Sequence, residues 1–169
     1  MEVDYLYQIG DNIVYPMHGA GVIEAIEEKE IQGQKHRYFV IKMPSSNMQV
    51  MIPIDKVLKS GIRSVADLPT LKAVLLMFDQ GEVDKSLSWK QRYQMNMEKM
   101  RTGKIKDGAE VIRDLTKINK EKTLNSSEKQ MLDSAKKIFI SELGLIKRMN
   151  ENQSFDLLND TIERFEISG

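Results

Sequence analysis

The sequence contains no cysteine, and it has no long apolar segment. Without cysteine the chain cannot form disulfides, thiolate metal sites or a cysteine nucleophile. The longest apolar run, Ala73 to Phe78, spans six residues, whereas a membrane-spanning helix needs about twenty. The N-terminus is acidic, with Glu2 and Asp4, and lacks the apolar core of a signal peptide. These absences predict a cytoplasmic protein that does not enter a membrane.

The residues and motifs of common enzyme classes are also missing. The two histidines, His18 and His36, lie on separate segments, and metal-ligating residues are not grouped. Gly19 and Gly21 begin a pattern like the dinucleotide fingerprint, but Glu24 stands where that fingerprint needs its third glycine. The phosphate-binding loop, the zinc-protease helix and the serine-hydrolase elbow have no match in the sequence. We therefore predict neither an enzyme nor a bound cofactor or metal.

The first sixty residues follow the period of β-strands. Branched and aromatic side chains occur in short runs, of which His36–Lys42 is the clearest. Pro16 ends the first run because proline cannot donate to a sheet ladder. Gly33 can supply the positive φ of a tight hairpin loop. The expected strands cover residues 11–15, 22–26, 36–42 and 48–53. Four or five short strands predict a small, strongly bent antiparallel sheet or an open barrel.

After Gly61 the sequence changes to the period of helices. Each expected helix has a start signal, namely Asp67 or Thr70, the capping box Ser88-x-x-Gln91, Asp107, and Asn125-x-x-Glu128. A final short helix is expected to place four apolar side chains on one face: Phe155, Leu158, Ile162 and Phe165. The predicted class is α+β, with a small bent antiparallel β domain over residues 1–62 and an all-α domain over residues 63–169.

The charges are balanced overall but not evenly distributed. The chain has 25 basic and 25 acidic residues, and taken alone this neutrality argues against a general polyanion binder. Residues 85–148, however, hold 16 basic and 8 acidic side chains, whereas the segments on either side are acidic. Such an excess can form a patch that attracts phosphate, or it can be an ordinary solvated helical surface. The charge pattern alone leaves both interpretations open.

Trp89 is the only tryptophan and stands at a predicted helix start. Trp89, Tyr93, Met97 and Met100 share a helical stripe, so the spacing alone favours a core position for the tryptophan. Alternatively, a tryptophan in the first turn projects beyond the packed face, where the neighbouring Lys90 and Arg92 could bind phosphates. Apolar wedges flanked by cations are used by several proteins that bind a distorted minor groove.

Several motifs resemble the CarD/CdnL family of bacterial transcription regulators. They are Val14-Tyr15-Pro16-x-His18-Gly19-Ala20-Gly21 with Val22-x-Glu24-Ala25-Ile26, Trp89-x-x-Arg92-Tyr93, Ala109-Glu110-Val111-Ile112-Arg113-Asp114-Leu115, and Leu124-x-x-x-Glu128-Lys129-x-Met131-Leu132. The resemblance runs in order from about Ile9 to Leu145. The first half also looks like the polymerase-interacting module of the transcription–repair coupling factor. The resemblance implies a Tudor-like β domain that docks on the RNA polymerase β subunit. It also implies a helical domain that contacts promoter DNA at the upstream edge of the melted bubble.

The same resemblance implies DNA-binding residues in the helical domain. Trp89 matches the family's tryptophan that enters the minor groove at that junction. Lys90, Arg92 and Lys129 match positions where basic residues face the DNA backbone, although plain solvent exposure is an equal alternative for Lys129. Gln91 departs from relatives that carry arginine there, so one phosphate contact is expected to be missing.

On the β domain the resemblance implies that Lys29, Met51 and Pro53 meet the polymerase. Some relatives have arginine where this chain has Met51, so the contact is expected to be more apolar here. Strand packing for Met51 and strand termination for Pro53 remain the structural alternatives. Val14, Tyr15 and Gly19 are expected to serve the fold.

The implied function is stabilisation of the open promoter complex by a monomer recruited to the nucleoid through RNA polymerase. The implied contact with promoter DNA is weak, confined to the minor groove and dependent on polymerase. Two other classes remain open: a stand-alone DNA-binding protein and a protein–protein adaptor whose basic helices are only solvated.

Overall fold

The computed structural model describes residues 6–44 and 46–167 and has the predicted α+β architecture. Five antiparallel strands form one sheet with the order β4-β3-β2-β1-β5. The strands are β1 Asn12–Tyr15, β2 Gly19–Ile31, β3 Gln34–Met43, β4 Met48–Pro53 and β5 Arg63–Ser64. The helices are α1 Val57–Ser60, α2 Leu68–Leu76, α3 Trp89–Thr102, α4 Ile105–Glu121, α5 Ser126–Lys147 and α6 Glu151–Ile167. Across the described ranges no helix is long and apolar enough to cross a bilayer.

The hairpin between β2 and β3 confirms the turn predicted at Gly33. Gln32 and Gly33 both have positive φ, 53° and 77°, which is the conformation of the two-residue turns that match strand twist. β2 is longer than predicted, since it pairs with β3 over its whole exposed end. One face of the sheet packs around Phe39, Ile41 and Ile52, which are almost completely buried. This core is separate from the core of the helical domain.

Local capping signals locate most helix starts correctly. The Asp67 side chain accepts from the Thr70 amide, and Asn125 accepts from the Glu128 amide, so both are N-caps as predicted. The prediction that Asp107 opens a helix is wrong, because α4 begins two residues earlier at Ile105. Asp107 instead accepts a hydrogen bond from the Thr102 hydroxyl at the end of α3. Its carboxylate therefore links two helices, although it also lies in the first turn of α4.

The apolar face predicted for α6 is confirmed for Leu158 and Ile162, which pack in the helical core, and is wrong for Phe155. Leu158 is fully buried, but Phe155 is 47% exposed, while the small polar residues Ser154 and Thr161 are buried. The helix packs against α5 and against the 3-10 turn Met77–Asp79. Close packing at Ser154 favours a small side chain, since its hydroxyl would lie 3.2 Å from a Cβ added to Gly144. The side chain of Phe165 lies outside the described residues.

The sheet continues past the boundary expected at residue 62. Arg63 and Ser64 pair with Val14 and Ile13 of β1, so the first residues assigned to the helical domain belong to the sheet. The helical core is built around the buried residues Leu71, Ile112, Leu115, Leu143 and Leu158. Helix α5 runs through this core and also packs against β2. It is therefore the element shared by the two halves of the molecule.

Substituting Leu143 with alanine is expected to lower the free energy of unfolding by about 2–5 kcal/mol. Leu143 is fully buried on α5, and its removal leaves a cavity between packed helices. The matched control is Leu76→Ala, because Leu76 is 62% exposed and its loss is expected to cost less than about 0.5 kcal/mol. Urea titration of both variants measures the difference, and equal costs would contradict the described core.

Candidate functional site

Trp89 occupies the first position of α3, and its side chain is 45% exposed. The predicted capping box holds this helix end: the Gln91 amide donates to Ser88 Oγ, and the Ser88 amide donates to Gln91 Oε1. Ser88 and Gln91 therefore satisfy each other's backbone N–H groups at the start of the helix. Tyr93 and Met97 are half-buried, and Met100 is buried. Burial of these four side chains increases from Trp89 to Met100. The later residues enter the helical core, whereas Trp89 projects beyond it.

Lys90 places its ammonium group against the indole of Trp89. The Nζ atom lies 5.9 Å from the ring centroid, which is within the range of cation–π attraction. Lys90 therefore restricts the tryptophan on one side and brings a positive charge to the projecting ring. Within the described ranges the ammonium group of Lys90 takes part in no ion pair, so this charge is not neutralised by a carboxylate.

Arg92 is paired with a carboxylate in this structure, and its expected contact with the DNA backbone stays a prediction. Its Nε and one terminal nitrogen donate to the two oxygens of Glu128, each at 2.7 Å. Glu128 is only 1% exposed, and the hydrogen bonds that its carboxylate accepts raise the pKa of the Arg92 guanidinium. The pair joins the first turn of α3 to the first turn of α5. Arg92 thus positions the helix that carries Trp89.

A groove lies between the starts of α3 and α5, and we call it the Trp89 groove. Its lining includes Leu87, Trp89, Lys122, Leu124, Ser126 and Ser127. Lys129 is exposed near the start of α5, one residue beyond the buried Glu128. Two helix N-termini adjoin the groove, and their partial positive charges favour an anion. The groove therefore brings together an exposed indole, the side chain of Lys122 and the N-termini of two helices.

The three residues expected to meet polymerase lie on one face of the sheet. Strand register aligns Met51 with Val40 and Ala25, and it aligns Pro53 with Tyr38 and Glu27. Lys29 is two residues beyond Glu27 on the same strand, so it points to the same side. Lys29 is exposed, whereas Met51 and Pro53 are half-buried on β4, an edge strand of the sheet. This face is opposite to the one that packs the core around Phe39.

Sequence reasoning missed two buried ion pairs that hold the helices in place. Glu128 was named in a helix cap and in a family motif, but not as the partner of Arg92, which is 36 positions away. Glu142 is 2% exposed on α5 and was not singled out. The available signal for Glu142 was a charged residue on the apolar stripe of a helix, since buried acids require a partner. In the described parts of the chain, no three acidic or histidine side chains are placed to share a metal ion.

Comparison with known proteins matches both halves of this architecture. A model named CarD, C-terminal domain, matches residues 73–159, and one named CarD-like/TRCF RID domain matches residues 7–66. The chain belongs to the CarD family. YdeB of Bacillus subtilis (strain 168), a protein named as a candidate transcription factor, is 57% identical over 148 residues. That alignment covers 88% of this chain and 97% of YdeB.

A solved CarD structure can also be compared with this chain. The solution structure of the 72-residue N-terminal domain of Myxococcus xanthus CarD is 37% identical and has a TM-score of 0.30. The aligned region covers 34% of this chain and 76% of the solved chain. The CarD family is a family of transcription factors. Family membership thus accounts for the motifs around Pro16 and Trp89.

Replacing Glu128 with glutamine is expected to destabilise this CarD-family protein by about 3 kcal/mol, since it leaves the Arg92 charge without its buried partner. The control is Glu121→Gln, which removes the exposed pair with Lys85 and is expected to cost less than about 1 kcal/mol. Thermal and urea unfolding compare the two variants. Because Trp89 is the only tryptophan, its fluorescence reports separately whether the helix start has moved. Equal stability losses would refute the structural role of the buried pair.

Proposed function

We propose that this protein binds the RNA polymerase β subunit through its sheet and stabilises the promoter open complex with Trp89. In this proposal the helical domain contacts DNA at the upstream edge of the melted bubble. The observation that carries the proposal is Trp89 itself, a large apolar ring that is 45% exposed on a rigid, capped helix start. Exposure alone does not distinguish Trp89, since Phe155 is 47% exposed. Trp89 also lines a groove between two helix N-termini and has the Lys90 ammonium 5.9 Å from its ring, which supports a role in binding an anionic partner.

The Trp89 groove has the chemistry to bind deformed duplex DNA. The indole can occupy a base step that is bent and partly unstacked, with Lys90 and Lys129 near the phosphates of the adjoining strands. Arg92 stays with Glu128 and holds the helix start. Opening a base step costs on the order of a few kcal/mol, and a wedge that fills the open step opposes its closure. Stronger binding to the open complex than to the closed one shifts the equilibrium toward the open state.

The charge distribution suits a DNA contact that depends on recruitment. Acidic residues within the basic helices are used in internal pairs: Lys99 with Glu110, Arg113 with Asp114, and Lys85 with Glu121. The remaining cations attract phosphate, but the whole chain is neutral. Free protein is therefore expected to bind duplex DNA weakly, with strong dependence on salt. Tethering to polymerase raises the effective concentration of the helical domain at the promoter.

The sheet offers a surface suited to a protein partner. Met51 and Pro53 are half-buried on β4, and the exposed Lys29 lies on the same face of the sheet, two strands away on β2. β4 is at the edge of the sheet, and edge strands present unpaired backbone groups that can pair with a strand of a partner. The likeness of residues 7–66 to the TRCF RID domain model supports polymerase as that partner.

The variant Trp89→Ala is expected to retain polymerase binding and to lose most of the extension of open-complex lifetime. The free energy of unfolding is expected to change by less than about 1 kcal/mol, because the ring is largely outside the core. The matched control is Phe155→Ala on α6, an aromatic residue with 47% exposure and no role in the proposed contact. Open-complex lifetimes on a defined promoter, with each variant and with wild type, measure the effect.

Three other outcomes would point to other functions. Loss of folding or of polymerase binding in Trp89→Ala would favour a core role for the tryptophan. Tight duplex binding without polymerase would favour a stand-alone DNA-binding protein. Normal polymerase binding by the wild-type protein, with no effect on promoter opening, would favour a protein–protein adaptor.

The variant Met51→Glu is expected to weaken polymerase binding roughly tenfold or more, since it introduces an unpaired carboxylate into an apolar contact. Binding to isolated duplex DNA is expected to be unchanged. Met48→Glu is the control, because Met48 is 58% exposed on the same strand and points to the opposite face of the sheet. Titration against purified polymerase β subunit compares the variants. An equal loss in both would place the effect in the strand rather than in the proposed face.

A further inference from the structure

The guanidinium group of Arg63 joins the sheet to two helices of the helical domain. Its Nε donates to the carbonyl oxygen of Gly103, the C-cap of α3, at 2.7 Å. Its two terminal nitrogens donate to the two carboxylate oxygens of Glu142 on α5, at 2.7 and 2.6 Å. One of them also donates to the Ser64 carbonyl at 3.0 Å. A single side chain of β5 therefore holds the ends of α3 and α5 that lie nearest the sheet.

Glu142 is buried at this junction between the sheet and α5, and both of its carboxylate oxygens are hydrogen-bonded. It is 2% exposed, and besides Arg63 it accepts a hydrogen bond from the Ala66 amide at 2.8 Å. A buried carboxylate that lost Arg63 would be strongly unfavourable, so the pair strongly favours one arrangement of sheet and helix. Nearby on α5, Ser141 Oγ accepts a hydrogen bond from the Ala20 amide of β2 at 2.9 Å.

Pro16, in the turn after β1, contacts the same end of α3. A Cβ atom built on Gly103 would lie 2.7 Å from Pro16 Cγ, so the proline ring is packed directly on the glycine backbone. Gly103 also has φ +70°, which suits glycine. The C-terminal end of α3 is thus held by Arg63 through a hydrogen bond and by Pro16 through packing.

At their opposite ends the same two helices are joined by Arg92 and Glu128 beside Trp89. α3 and α5 are therefore joined near both ends, by Arg63 of the sheet at one end and by the Arg92–Glu128 pair beside the Trp89 groove at the other. α3 has 14 residues and spans about 21 Å. Two helices joined near both ends, and to the sheet at one of them, cannot shift relative to the sheet without breaking one of these contacts.

We infer that Arg63 is a positioning residue that couples the sheet to Trp89, so that the two proposed binding surfaces move as one body. The inference rests on the proposed function and adds a residue that belongs to neither proposed surface. Loosening Arg63 is expected to leave each surface able to bind its own partner. It lowers the fraction of molecules whose tryptophan meets the DNA while the sheet is on polymerase.

The test compares Arg63→Lys, which keeps the charge but loses the planar fork of donors, with Glu142→Gln and with the double variant. Both single variants break the same pair, so the double variant is expected to be no worse than either. The matched control is Arg101→Lys, an exposed arginine on α3. Because the chain has no cysteine, labels can be placed at Gln34→Cys and Gln94→Cys, two exposed positions on β3 and α3.

Pulsed electron paramagnetic resonance on the labelled proteins is expected to show a narrow distance distribution in wild type and in Arg101→Lys. The distribution is expected to broaden in Arg63→Lys and Glu142→Gln. Open-complex lifetime extension is expected to fall about tenfold in those two variants, as when one molecule in ten keeps the competent geometry. Polymerase affinity and duplex binding, each measured alone, are expected to stay at the wild-type level.

A wild-type distance distribution in both variants would overturn the inference, and so would a wild-type lifetime beside a broadened distribution. Parallel loss of polymerase binding would show that Arg63 only maintains the sheet. If Arg63→Lys and Glu142→Gln do not fold, Pro16→Ala tests the same coupling. It removes the proline ring that packs against Gly103 and leaves no buried charge without a partner. If wild-type protein fails to extend open complexes, the proposed function fails, while the distance distributions still decide whether the frame is rigid.

Discussion

The two buried carboxylates of α5 impose the main constraint on this structure. Glu128 and Glu142 are 1% and 2% exposed, and a charge at such depth must be paired. Each carboxylate is bound by two nitrogens of one arginine, Arg92 from α3 and Arg63 from β5. These pairs settle where α3 lies on α5 and where the sheet lies on both. Apolar packing holds the helices together, but the paired charges select one relative placement.

In this arrangement the residues that stabilise the fold are different from the residue proposed to bind DNA. The core residues lie around Leu115 and Leu143, whereas Trp89 is held at the margin by a capping box and a buried ion pair. The tryptophan can therefore project into the Trp89 groove with little cost to the core. The neutral total charge arises because the acidic segments on either side of residues 85–148 offset the basic excess of that stretch. Cations around the groove remain available to an anionic partner.

Periodicity and capping predicted most elements because both depend on neighbours within a few residues. The Ser88 and Gln91 pair specified the start of α3, and Gly33 specified the hairpin. Asp107 was misassigned because its carboxylate also bonds Thr102 of the preceding helix. Phe155 was misassigned because close packing of α5 and α6 admits Ser154, whereas a large ring is turned outward. In both cases a contact between elements decided what local spacing left open.

The amino-acid sequence alone determined the α+β class, the excess of basic residues over 85–148 and the family motifs around Trp89. Each depends on residue type and short spacing, which a linear chain displays directly. The tertiary structure alone decided that Trp89 is exposed, that Arg92 is an internal tie, and that Arg63 reaches Gly103 and Glu142. The contacts of Arg92 and Arg63 join residues 36 to 79 positions apart in the chain. Local spacing does not predict such contacts, because they form only when the packed elements bring a buried carboxylate and an arginine together.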